Sequence, residues 1–281
     1  MPKHYEALQR AEQERRRKST GVDSRMPAAV SFETAVAPPS RVKPPGFFAR
    51  LLGSKDRSAV EGADEINKRR IALLQPDSYV AEQYRSLRGR IDALASQRSL
   101  MTLAITSANA GEGKSTCAVN LATVTAMSVG RRVLLIDCDL RRPKIHWTLG
   151  LQPRMGLAEV LLSQATLDEA IQKLDGINLD ILPVRTIPSN PSELLASPEM
   201  KRLLEEVAGR YDRIILDTPA CLGLPDAKSV SQYCDGLVMV VRAGVTPKEE
   251  VHAALDILDR ARVVGLVLNG SEATREQYGY Y

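Results

Sequence analysis

The sequence predicts an α/β protein with a mostly parallel central sheet flanked by helices on both faces. Three observations lead there. From about residue 79 onward, apolar strand-like runs alternate with helical patterns. A glycine-rich loop, SANAGEGKST, follows the first of those runs and opens a helix. Carboxylates stand at the ends of two further runs. Strands that are apolar throughout and separated by helices fit a parallel sheet buried on both sides.

Taken in order, residues 1–18 read as a short charged helix with Tyr5, Leu8 and Ala11 on one side. Residues 19–62 hold Pro27, Pro38, Pro39, Pro44 and Pro45 among Ser, Gly and charges. Such a stretch buries too little apolar surface to offset its ordering entropy, so it reads as linker or disorder. Within it, Gly46–Gly53 (GFFARLLG) is an apolar island, either a linker patch or a transient contact with a membrane or partner. Tyr79–Ser96 reads as an amphipathic helix. The predicted strands are Leu100–Thr106, Arg132–Asp137, Leu179–Pro183, Arg213–Asp217, Gly236–Arg242 and Val263–Leu268, with helices notably at Lys114–Val129, Glu193–Ala208 and Lys248–Ala261. The ending, SEATREQYGYY, is polar and tyrosine-rich.

Composition narrows the function classes. Residues 1–75 carry 15 Lys and Arg against 9 Asp and Glu, so the basicity belongs to this segment, and the rest of the chain sums to −2. No basic patch interleaved with aromatics occurs in the expected domain, which argues against nucleic acid as a partner. No apolar run approaches the 18 or so residues that span a bilayer. The N-terminus lacks the apolar stretch of a secretory signal. Cys117, Cys138, Cys221 and Cys234 have neither metal-ligand nor disulfide-framework spacing and read as buried free thiols of a reducing cytoplasm.

The loop carries the chemistry. Gly111 and Gly113 let the backbone turn so that N–H groups of Ala110, Gly111, Glu112 and Gly113 face phosphate oxygens. The helix opening at Lys114 presents its positive end to the same anions. Lys114 reaches the β/γ phosphates, the Ser115 hydroxyl binds Mg²⁺, and Thr116 serves the α-phosphate. Ala108 replaces the first glycine of the usual pattern, but strand and helix fall where a P-loop needs them. VLLIDCDLRRP ends a strand with Asp137 and Asp139, and RIILDTPA ends another with Asp217 before Pro219. Strand-end carboxylates beside a phosphate loop suit Mg²⁺, which takes oxygen ligands. These residues indicate a Mg-ATP site. The chain then divides into a basic, Pro-rich, largely disordered segment (1–75), a P-loop ATP-binding domain (76–270) and a flexible tail (271–281).

The three motifs together, the phosphate loop, Asp137-x-Asp139-x-Arg141 and Asp217-x-x-Pro219, resemble those of bacterial tyrosine kinases, P-loop proteins related to the MinD/ParA partition ATPases. EQYRSLR, with Glu82, Arg85 and Arg88, is similar to that family's E-x-x-R-x-x-R helix, NPSELL (Asn190–Leu195) to its segment of the same sequence, and Tyr278, Tyr280 and Tyr281 to its autophosphorylated cluster. The N-terminus and the YGYY ending resemble the autokinases of exosortase-linked exopolysaccharide loci. Partition ATPases carry a signature lysine early in the loop; Asn109 stands there.

The resemblance implies an autokinase that phosphorylates its own tail and regulates exopolysaccharide polymerisation or export. Asp137 and Asp217 would coordinate Mg²⁺, directly or through water, together with Ser115, and Asp139 would accept the tyrosine proton, with Asp137 the alternative base. Glu82, Arg85 and Arg88 would join neighbours into a ring; an intrahelical Glu–Arg pair is the competing reading. Asn269 either hydrogen-bonds adenine or is a plain Asn-Gly turn. Arg141 and Arg142 either hold acidic or phosphate groups or form a solvated basic turn. The implied partners are a separate membrane chain-length determinant protein as activator and a cognate tyrosine phosphatase. The implied location is cytoplasmic, peripheral to the inner face of the plasma membrane. A MinD/ParA-like switch or scaffold with little kinase activity is the alternative function.

Overall fold

The computed structural model describes residues 69–271. Residues 1–68, with the expected charged helix and the Gly46–Gly53 island, lie outside the described residues, as do Tyr278, Tyr280 and Tyr281.

Seven strands form one sheet: β1 (Thr102–Ser107), β2 (Val133–Asp137), β3 (Gln172–Leu174), β4 (Leu179–Leu182), β5 (Arg213–Asp217), β6 (Gly236–Arg242) and β7 (Val263–Asn269). Their order is β3-β4-β2-β5-β1-β6-β7. All neighbours run parallel except β3, which pairs antiparallel with β4. The helices are α1 (Ile71–Leu74), α2 (Tyr79–Ala95), α3 (Lys114–Ala126), α4 (Ile145–Leu149), α5 (Leu157–Leu161), α6 (Leu167–Ala170), α7 (Pro191–Leu195), α8 (Pro198–Ala208), α9 (Asp226–Ser231) and α10 (Lys248–Ile257). β1, β2 and β5 are buried along their whole length. Two apolar clusters sandwich the sheet. Leu134, Ile136 and Leu216 face one together with α8, and Leu135, Ile105 and Ile215 face the other together with α3. The predicted architecture and its six strands are present.

The differences have local causes. β3 is three residues long and half-exposed, too short to show an apolar run. The helix predicted over Glu193–Ala208 is two helices, because Pro198 begins the second with Ser197 as its cap, accepting from the Met200 amide at 3.3 Å. The Lys114 helix stops at Ala126 and turns at Gly130, whose φ is +75°. The last predicted helix ends at Ile257, and a 3₁₀ turn capped by Asp259 follows.

The folded region also begins before residue 76. Asn120, fully buried inside α3, accepts from the Ala72 amide at 2.9 Å and donates to the carbonyls of Arg69 (2.9 Å) and Thr116 (2.8 Å). The Arg69 guanidinium lies 4.9 Å from the Trp147 ring centre. Residues 69–74 therefore belong to the domain rather than to the N-terminal segment. All four cysteines are buried free thiols, as expected. Burial raises each of them, Cys117 to about 12, which leaves them protonated and unreactive.

Candidate active site

The parallel pairing sets the site geometry before any side chain is considered. Asp137 and Asp217 are register partners on β2 and β5, and Asp217 is also opposite Ile105 on β1, the strand that feeds the phosphate loop. The C-terminal ends of three adjacent strands thus deliver two carboxylates and the loop to one sheet edge, where open α/β sheets hold ligands.

The loop is held from several sides. Gly111 and Gly113 have φ of +87° and +98°, and Gly113 is the N-cap of α3. A Cβ on Gly113 would sit 2.1 Å from Asn269 Nδ2. That same amide donates to the Glu112 carbonyl at 2.9 Å, so Asn269 ties the end of β7 to the loop. The Glu112 carboxylate is buried and accepts from Thr246 Oγ1 at 2.6 Å. Asn109 donates to Glu112 and to Glu250 on α10. The position of the partition ATPases' lysine is thus occupied by a side chain tied within its own chain.

Lys114 is buried, and its Nζ stands 2.7 Å from Asp139 Oδ2, 3.9 Å from Asp217 Oδ1 and 3.4 Å from Ser115 Oγ. Burial pushes its pKa down, but the carboxylates of Asp217 and Asp139 outweigh that and hold it above the usual lysine value. The ammonium stays charged. Asp139 Oδ1 accepts from the Arg142 amide at 3.0 Å, leaving Oδ2 for the lysine.

The other two aspartates differ sharply from each other. Asp137 Oδ1 accepts from the Asp139 amide at 3.1 Å, and Oδ2 from Lys144 (3.2 Å) and Ile145 (3.1 Å), so this carboxylate shapes the loop after β2. Burial and the neighbouring Asp217 charge push it up to about 8, against the opposing Ile145 amide. Asp217 is fully buried and neither of its oxygens has a hydrogen-bond partner. Burial raises its pKa, with Lys114 pulling the other way. A buried carboxylate whose one ionic contact is the Lys114 ammonium at 3.9 Å, beside a serine hydroxyl and a phosphate loop, fits a hard cation such as Mg²⁺. Among the described residues, no group of three or more His, Cys, Asp or Glu is placed to hold a metal alone. A cation at this site would take its remaining ligands from phosphates and water.

Arg141 has partners that the sequence did not disclose. Its Nε donates to Asp226 Oδ2 at 2.7 Å and its Nη2 to Ser192 Oγ at 2.8 Å. Ser192 lies in the NPSELL segment, and Asp226 opens α9 after Pro225. The solvated-turn reading of Arg141 does not hold. Glu82 and Arg85 form the intrahelical pair on α2, and Arg85 also donates to the Pro76 carbonyl at 2.7 Å. Arg88 donates to the Val124 carbonyl (2.6 Å) and Ser128 Oγ (2.7 Å), fastening α2 to the end of α3. A cleft of ≈690 Å³ lies at the opposite end of the sheet, lined by Ala126–Gly130 and Gly176–Asn178, without a charged side chain. It is remote from this chemistry.

Comparison with known proteins agrees with this geometry. Residues 100–254 match a family model described as an AAA domain. The tyrosine-protein kinase YwqD of Bacillus subtilis is 41% identical over 214 residues, covering 75% of this chain and 90% of that protein. The succinoglycan biosynthesis transport protein ExoP of Rhizobium meliloti is 33% identical over 75% of this chain, but over 29% of its own greater length. Among solved structures, the kinase domain of the Escherichia coli tyrosine kinase ETK superposes with a TM-score of 0.69 at 32% identity, covering 75% of this chain and 84% of that one. The septum site-determining protein MinD of Pyrococcus horikoshii, complexed with Mg-ADP, reaches 0.52 at 25% identity, over 63% and 74%. The fold is that of MinD-like P-loop proteins, and the likeness is greater on the kinase side.

Proposed function

The chain belongs to the bacterial tyrosine-protein kinases of the P-loop class and is a protein-tyrosine kinase, and from that premise we propose that it is an autokinase that moves the γ-phosphoryl group of ATP onto Tyr278, Tyr280 and Tyr281 of its tail. The observation that carries the donor half of this reading is Lys114, buried between Asp139 and Asp217 at the mouth of the loop.

In this reading the amides of Ala110, Gly111, Glu112 and Gly113 hold the phosphates, and Lys114 exchanges its Asp139 contact for the β/γ oxygens. Thr116 reaches the α-phosphate. Ser115 and Asp217, with Asp137 directly or through water, would hold Mg²⁺, which would supply charge neutralisation to the phosphates. Once Lys114 turns to the phosphates, Asp139 is freed to accept the hydroxyl proton. The tyrosine oxygen bonds to the γ-phosphorus as the bond to the β-bridging oxygen breaks, releasing ADP. Asn269 holds the loop through Nδ2, which leaves Oδ1 free to accept from adenine.

The acceptor side is supplied by other copies and partners. Glu82, Arg85 and Arg88 on α2 join neighbours into a ring, and the tail of one copy enters the site of the next. Each phosphorylated tyrosine gains roughly −1.5 to −2 charge; repulsion from the carboxylate-rich site ejects the tail and loosens the ring. The names of the relatives and the sequence resemblance support a role in exopolysaccharide polymerisation or export. A separate membrane chain-length determinant acts as activator and a cognate phosphatase resets the tail. No helix among the described residues is long and apolar enough to cross a membrane; we place the protein in the cytoplasm, peripheral to the inner membrane face. Replacing Tyr278, Tyr280 and Tyr281 by Phe and following autophosphorylation tests the reading: the tail assignment fails if incorporation is unchanged.

A further inference from the structure

We propose that Arg141 is a positioning residue for phosphoryl transfer, bracing the loop that carries Asp139 against two other segments leaving the same sheet edge. The loop after β2 is held in shape from within, since Asp137 accepts from the amides of Asp139, Lys144 and Ile145, and Asp139 accepts from that of Arg142. Those bonds fix the loop's form, and all of them lie inside it. Outside the loop, the Cys138 amide donates to the Asp217 carbonyl at 2.8 Å, and Cys138 and Leu140 are buried in the core shared with Val184 and Cys221.

Arg141 adds a polar side-chain tie between this loop and the helices that follow β4 and β5. Its guanidinium leaves the loop and meets Asp226, at the head of the helix reached from β5, and Ser192, in the helix reached from β4. The Asp226 side chain is fully buried, Ser192 Oγ donates to its Oδ1, and Arg141 is its paired cation. A buried carboxylate requires such a partner, so the contact holds a defined geometry. The planar fork engages carboxylate and hydroxyl together through two nitrogens. A lysine ammonium, a point charge on a flexible stem, cannot fix both directions. One side chain thereby links the segments that follow β2, β4 and β5.

The consequence falls on the transfer step more than on nucleotide binding, which uses the loop amides and α3. A shift of about 1 Å in a positioned group costs on the order of 10²-fold in rate. The inference rests on the reading that Asp139 works at that step.

The test uses the full chain, Mg-ATP and initial rates of phosphotyrosine formation. Arg141→Lys keeps a cation for Asp226 and loses the fork; we expect kcat to fall by about 10- to 100-fold with KM for ATP nearly unchanged. Ser192→Ala, a milder change, gives a smaller loss of the same kind. The side chain of Arg141 is 36% exposed, so in Arg141→Ala millimolar guanidinium reaches the gap and restores part of kcat, whereas sodium does not. Unchanged kcat in Arg141→Lys with a native melting temperature overturns the proposal. So does a loss in Arg141→Ala that tracks a lower melting temperature and resists guanidinium. Asp139→Asn separates the two readings. If it retains full kcat while Arg141→Lys loses it, the Asp139 assignment fails and the brace positions some other group of the site; the reverse pattern removes the brace alone.

Discussion

Lys114 and Arg85 each lie in the first turns of a helix and each meets a carboxylate, yet the two pairs live in different physics. The Lys114 and Asp139 side chains are 10% and 9% exposed, whereas those of Arg85 and Glu82 are 30% and 60% exposed. At the first pair, low dielectric strengthens every charge interaction, and the fully buried Asp217 stands 3.9 Å from the same ammonium. At the second, water screens the pair, and such contacts contribute about 0–1 kcal/mol. The buried pair is therefore held by groups of its own chain. The exposed face of α2 gains energetic weight only if another molecule covers it.

The largest expected effect is at the buried pair. Lys114→Ala should lower phosphotyrosine formation by about 10²- to 10³-fold, the range for removing one charge-stabilising donor, read by phosphate incorporation at saturating Mg-ATP. A loss below tenfold would mean the contrast between the pairs is mistaken. Next, Asn120→Ala should destabilise the chain by about 1–3 kcal/mol in denaturant melts, because it removes the side chain that accepts from the Ala72 amide and donates to the Arg69 and Thr116 carbonyls. Wild-type stability in that variant would show that residues 69–74 are a passive appendage.

The pH dependence sharpens the same contrast. Burial and Asp217 lift Asp137 to about 8, above the ordinary carboxylate value of about 4. A raised carboxylate makes the native state bind more protons than the unfolded chain between those values. Its stabilising contribution is thus greatest at the acid end and declines as pH rises through the window to about 8. The melting temperature of the ligand-free protein should fall across that range, and less steeply in Asp217→Asn, which removes the neighbouring charge. An equal slope in both would deny that the two carboxylates are coupled. The smallest effect belongs to the exposed pair: Glu82→Ala should change subunit stability by no more than about 1 kcal/mol. Under the ring reading it nonetheless shifts the sedimentation profile toward smaller species.

What was legible beforehand follows the same division. Strand ends, the phosphate loop and the Asp137, Asp139 and Asp217 positions were readable because apolar runs and strand–loop–helix spacing are local patterns. The break before Pro198 was readable too, since proline lacks the amide that a continuous helix uses, yet the apolar periodicity masked it. Arg141's partners stand 51 and 85 residues away, and no local pattern encodes which buried carboxylate a given arginine will find. Asn269 was expected to serve adenine, but its amide also secures the loop through the Glu112 carbonyl. That tie depends on how β7 ends beside Gly113. Asn120 falls inside the Lys114–Val129 helical pattern with no local mark of its own, because its partners belong to the segment that docks on it.

The most direct test of the central claim is phosphosite mapping of the purified full chain after incubation with Mg-ATP, with Lys114→Ala as control. The expected result is phosphate on Tyr278, Tyr280 and Tyr281 in the wild type and about 10²- to 10³-fold less in the variant. ATP hydrolysis without phosphotyrosine on the tail, or a loss below tenfold in Lys114→Ala, would contradict it.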